Sequence, residues 1–167
     1  DFDGLQRLAV HLADHGHDGL LVNGTTGESP TTTDDEDYDC VQAVVEAVGD
    51  RVAVMAGCGT NDTEHSARAA REMVARGADS LLVVTPYYNK PPQEGLYRHF
   101  HAIAESVDLP VILYNIPGRS VINMTAETIL RLAHDVENIV ALKEASGNLA
   151  QVAEIVAGAP DGFEVLS

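Results

Sequence analysis

The chain has 167 residues, enough for one domain with a sizeable core, and its 45% hydrophobic content is ordinary for a globular protein. Its 26 acidic residues against 10 basic ones give a formal charge of −16, which excludes non-specific binding to nucleic acid or to an anionic membrane surface. No apolar run approaches the roughly 18 residues of a membrane span and no basic-then-apolar leader is present, so a cytoplasmic protein is expected. An acidic surface poor in lysine suits a high-salt cytoplasm, and equally an acidic proteome with arginine-favouring codons. Cys40 and Cys58 lie in no CxxC or Cys/His cluster, so buried free thiols are expected and no metal site.

The first segment, Leu5 to His15, sets Leu5, Leu8, Ala9 and Leu12 at helical spacing. Gly19 to Val22 reads as a short buried strand, followed by the polar loop Asn23 to Pro30. The next helix covers Asp34 to Val48, with Thr33 and Asp34 as cap candidates and acids in its first turn. The pattern then recurs. Strands are predicted at Val52–Ala56, Ser80–Val84, Val111–Tyr114, Ile139–Leu142 and Phe163–Leu166. Helices are predicted at Thr63–Arg76, Gln93–Ser106, Thr125–His134 and Gln151–Ala157. The strand starts recur at roughly thirty residues, the size of a βα unit.

Near-continuous Val/Leu/Ile strands point to a parallel sheet covered on both faces, either an open doubly wound sheet or a (β/α)8 barrel. Residues able to carry chemistry follow nearly every strand: Thr25 and Thr26, Asn61, Tyr87 and Tyr88, Tyr114 with Arg119, and Lys143. Barrels build sites from many strand ends, whereas open sheets gather them at one switch point, usually beside a glycine-rich phosphate loop. No GxGxxG or Walker sequence is present. The barrel is favoured. About six of eight units are accounted for, and a barrel lacking strands would leave apolar edges unpaired, so the chain is expected to be a segment of a longer protein.

Lys143 ends an apolar run and precedes a Gly-Asn loop, and only one other lysine, Lys90, occurs. Burial favours the neutral amine, the nucleophile that Schiff-base chemistry with a carbonyl substrate requires. A structural lysine reaching a surface carboxylate is the alternative, although strand alternation turns Glu144 to the opposite face. Taken singly, Thr25 and Thr26 read equally as turn residues, Tyr114 as a core tyrosine and Arg119 as an exposed loop arginine. Tyr87 and Tyr88 read as a packing or subunit-contact patch. The seven histidines are scattered and read as surface or helix-end residues; His99 and His101 share no helix face, which weakens a metal reading.

Gly24-Thr25-Thr26-Gly27-Glu28-Ser29, Tyr87-Tyr88-Asn89-Lys90-Pro91, Tyr114-Asn115-Ile116-Pro117-Gly118-Arg119-Ser120 and Lys143-Glu144-Ala145-Ser146-Gly147-Asn148 together resemble the dihydrodipicolinate synthase family, within the pyruvate-dependent class I aldolases and lyases. The resemblance covers essentially the whole chain. It implies that residues 1–167 are part of a single (β/α)8 barrel domain, with the first strand, the eighth unit and a C-terminal helical extension absent. It also implies a metal-free reaction in which Lys143 forms an imine with pyruvate and the enamine attacks L-aspartate 4-semialdehyde. Tyr114, Thr25 and Tyr88 would relay protons, with Tyr88 reaching a neighbouring subunit of a homotetramer. Thr26 would hold the pyruvate carboxylate and Arg119 the second carboxylate. Ser29, Asn61 and Tyr87 match a regulatory lysine site. Asp34 and Asp37 stand where lysine-sensitive members often have histidine, and His65 where an acid is common, so weak lysine inhibition is expected. The neighbouring readings are a sister enzyme, an N-acetylneuraminate lyase or 2-keto-3-deoxy-sugar-acid aldolase, and a non-catalytic pyruvate-binding homologue. Arg119 in its Pro-Gly-Arg-Ser loop favours the synthase over sugar-acid substrates.

Overall fold

The computed structural model describes residues 1–167. Seven α-helices and six strands alternate, except that α5 and α6 follow one another: α1 (Phe2–Asp14), β1 (Gly19–Val22), α2 (Asp34–Val48), β2 (Ala53–Gly57), α3 (Thr63–Ala75), β3 (Ser80–Val84), α4 (Gln93–Ala104), β4 (Val111–Asn115), α5 (Pro117–Ser120), α6 (Ala126–Asp135), β5 (Ile139–Glu144), α7 (Leu149–Gly158) and β6 (Glu164–Leu166). Five helices start where a short polar side chain accepts an otherwise orphaned backbone N–H: Asp1, Thr33, Asp62, Thr125 and Asn148. At α2 the cap is reciprocal. Thr33 N donates to Glu36 Oε2 at 2.9 Å, and Glu36 N donates to Thr33 Oγ1 at 3.3 Å.

The six strands form one parallel sheet in chain order, β1 to β6, each next to its sequence neighbour. With a helix between each pair, this is the half-barrel that the strand spacing predicts. Strand alternation divides the residues between two faces. Val54, Ala56, Leu81, Val83, Val111, Leu113 and Leu142 face the helices and join the main core with Met73, Leu96, Phe100, Ile103, Ile129 and Leu132. Leu82, Ile112 and Ala141 face the other way and pack with Met55 and Tyr114 in a small inner cluster.

Two departures from the sequence reading matter for the site. The predicted end of β5 is Leu142, but the strand runs through Lys143 to Glu144. Pairing with β4 also shifts: Val111 is opposite Ile139, yet Ile112 is opposite Ala141, leaving Val140 unmatched. The span after β4, expected as loop, contains the single helical turn α5, started by Pro117.

Candidate active site at the C-terminal ends of the strands

Continued register carries one row of residues across the inner face: Val84, Tyr114, Lys143 and Leu166. Lys143 is half-buried, and its Nζ lies 4.2 Å from the centroid of the Tyr114 ring, within cation–π range. No carboxylate pairs with it. Glu144 points to the opposite face, as alternation demands, and is buried there.

The loops after the other strands close around this row. Thr25 and Thr26 begin a 3-10 turn after β1, and Glu28, which ends it, is left-handed at φ 58°. After β3, Asn89 N donates to Tyr87 O at 2.8 Å across Tyr88, whose φ is 70°. This is a strained three-residue turn, and it projects Tyr88 outward at 84% exposure. Asn61 and Asn89 brace that loop against the one after β2: Asn61 Nδ2 donates to Asn89 Oδ1, and Asn89 Nδ2 to Asn61 O, both at 3.0 Å. Arg119 is carried by α5. Buried Ser120 fastens that turn, its hydroxyl 3.0 Å from both Ile116 O and Ile122 O. Val121, β-branched, is held beyond it at φ 66°. Thr85 Oγ1 ties the end of β3 to Tyr114 O at 3.0 Å.

These elements enclose a cavity of about 1120 Å³ lined by Thr25, Thr26, Ser29, Tyr87, Tyr114, Arg119 and Lys143. Seven of the nine singled-out residues therefore share one cavity; Asn61 and Tyr88 lie outside its lining. Arg119, like Lys143, has no carboxylate partner. The cavity thus presents an amine and a guanidinium above hydroxyl groups, a set suited to a small dicarboxylic or keto-acid reaction. Asp34, Asp37 and His65 also line it, with His65 Nε2 2.9 Å from Asp34 Oδ2. Burial raises the Asp37 carboxyl, with Asp34 and Glu36 adding to the shift against a hydrogen bond from Thr32. No three His, Cys, Asp or Glu side chains converge as metal ligands.

Some residues escape the sequence reading. Of the two thiols, Cys58 is buried in the lining and pushed up to about 12 by desolvation, while Cys40 is only half-buried. His99 is not a surface residue; it is 4% exposed, and its Nδ1 lies 2.8 Å from Thr63 Oγ1. The signal was its place on the stripe Leu96, His99, Phe100, Ile103, all buried in α4. Buried Thr85 and Ser120 carry no comparable periodic mark.

The family model described as the dihydrodipicolinate synthetase family matches residues 1–167. The chain belongs to that family. Among curated members, it is 60% identical over 157 residues to 4-hydroxy-tetrahydrodipicolinate synthase 2 of Streptomyces coelicolor, covering 94% of this chain and 52% of the relative. It is 54% identical over 167 residues to the 4-hydroxy-tetrahydrodipicolinate synthase of Symbiobacterium thermophilum, covering 100% and 57%. Among solved family members, DHDPS from Cyanidioschyzon merolae with lysine bound superposes with a TM-score of 0.98 at 50% identity, covering 100% of this chain and 57% of that one. The dihydrodipicolinate synthase of Aquifex aeolicus also gives 0.98, at 43% identity and the same coverage. The chain spans little more than half the length of these relatives. Membership in the synthetase family accounts for the partial TIM-barrel architecture.

Proposed function

We propose that this protein acts as a 4-hydroxy-tetrahydrodipicolinate synthase, condensing pyruvate with L-aspartate 4-semialdehyde in lysine and diaminopimelate biosynthesis. The observation that carries the reading is the placement of Lys143 Nζ beside Tyr114, without a carboxylate partner, in a cavity shared with Thr25, Thr26 and Arg119. The amine adds to the pyruvate ketone, and loss of water gives an imine. Loss of a methyl proton gives the enamine, whose carbon adds to the semialdehyde carbonyl as that oxygen takes up a proton. The α-amine of the semialdehyde portion then attacks the imine carbon, closing the ring and freeing Lys143. The imine itself is the electron sink, so the reaction calls for no metal and no organic cofactor.

In this reading Tyr114, Thr25 and Tyr88 move protons through hydroxyl groups without placing a full charge in the site. The exposure of Tyr88 supports its working in a neighbouring subunit of a homotetramer. Thr26 and nearby backbone N–H groups hold the pyruvate carboxylate, and the planar Arg119 fork receives that of the semialdehyde. Ser29, Asn61 and Tyr87 belong to a regulatory region rather than to the chemistry. The test is condensation measured with aspartate semialdehyde and with N-acetylmannosamine as competing aldehydes, in the parent and in Arg119→Ala. The semialdehyde should be preferred, and R119A should lower its kcat/KM by about 10- to 100-fold while sparing pyruvate imine formation. A preference for the sugar aldehyde, or loss of imine formation in R119A, would contradict the roles assigned.

A further inference from the structure

Glu144 follows Lys143 on β5 and is 3% exposed between the sheet and the helices. Only uncharged groups donate to it: Ser146 N to Oε1 at 2.8 Å, Asn115 Nδ2 to Oε1 and Oε2 at 3.2 and 3.0 Å, and Gln151 Nε2 to Oε2 at 3.2 Å. Asn115 in turn follows Tyr114 on β4, accepts from Met124 N at 3.0 Å and donates to Asn123 Oδ1 at 2.8 Å. The residues just beyond the register partners Tyr114 and Lys143 are therefore joined in one buried network. A buried carboxylate without a cation bears a desolvation cost that an apolar side chain would not. Stability alone does not account for it.

The register shift supplies a second, independent observation. Were β5 paired with β4 from Val111–Ile139 without the shift at Val140, Leu142 would stand opposite Tyr114 and Lys143 would turn toward the helices. The shift brings Lys143 to the cavity face, and the Asn115–Glu144 bond joins the two strands one residue farther on. We propose that Glu144 is a positioning residue for Lys143: through Asn115 it locks the ends of β4 and β5 in the shifted register and holds the amine over Tyr114. This rests on the reading of Lys143 as the imine-forming amine.

Glu144→Gln keeps the volume but turns one acceptor into an NH2 facing the amide donors of Asn115 or Gln151. Two readouts test it: hydrogen exchange at the Ala145 amide, which donates to Asn115 O at 2.9 Å, and the borohydride-trapped rate of imine formation at saturating pyruvate. In folded E144Q, Ala145 should exchange about tenfold faster and imine formation should slow by about 10- to 100-fold, with half-saturating pyruvate within about threefold of the parent. Unchanged Ala145 exchange overturns the proposal, as does faster exchange with an unchanged imine rate. If the parent itself forms no imine, the reading of Lys143 fails, while faster exchange in E144Q still supports the strand lock. If E144Q does not fold, Glu144→Asp keeps the charge with a shorter reach. Slowed imine formation then supports the lock, and the parent rate overturns it.

Discussion

Lys143 and Arg119 owe their availability to what surrounds them. Neither meets a carboxylate: Glu144 is turned into the helix layer, and the cavity's acids Asp34 and Asp37 bond to His65 and Thr32 instead. Those two aspartates line the same cavity as Ser29 and Tyr87, so a lysine effector binding there would bring its carboxylate into an already negative region. His65 bonds to Asp34 and Thr32 to Asp37, which leaves the carboxylates in place rather than replacing them. Turnover with millimolar lysine should therefore stay within about twofold of the uninhibited rate, since like charges at short range disfavour the ligand. Strong inhibition would contradict this. Lys143, Tyr114 and Arg119 were legible in the sequence because each follows a clear strand pattern. The Glu144 network was only half legible. Alternation predicts that Glu144 leaves the cavity face, but its partner Gln151, and Asn123 bonded to Gln151, are brought in by the start of α7 and the return of the chain, which no local pattern encodes.

At the scale of elements, the buried face of α4 carries its own pH dependence. Burial lowers the His99 pKa from its ordinary 6.5 to about 4, with nearby Asp62 opposing the shift, and Nε2 has no hydrogen-bond partner. The folded state thus holds a neutral imidazole that the unfolded chain protonates more readily. The stability this represents is fully present above about pH 6.5 and is lost as pH falls toward about 4, an effect on the order of 3 kcal/mol. Urea unfolding at pH 7 and pH 4.5 should show a smaller acid loss in His99→Gln than in the parent; an equal loss would contradict the assignment. Helix and strand positions were readable to within a few residues from hydrophobic period and, at α2, from the cap Thr33; the caps Thr125 and Asn148 emerge only in the structure. The single turn α5 was not. Four residues hold too little period to register, and its shape depends on Ser120 being fastened from both sides.

The whole molecule combines a parallel half-barrel with a charge of −16, and its ion pairs lie on exposed surface. Exposed pairs of this kind contribute roughly 0–1 kcal/mol each, too little to offset widespread repulsion. Urea midpoints should therefore rise with potassium chloride and rise similarly with choline chloride, as screening shortens from about 30 Å at 0.01 M to about 3 Å at 1 M. A midpoint independent of salt would contradict this. Barrel architecture was legible because chemistry follows nearly every strand, whereas the register shift at Val140 was not, since unshifted and shifted pairings both keep Leu142 and Lys143 on opposite faces. The proposed reaction turns on one amine. Reducing the protein with borohydride in the presence of pyruvate, then mapping peptides by mass, should place a single reduced pyruvate adduct on Lys143. No adduct, or an adduct on Lys90 instead, would contradict it.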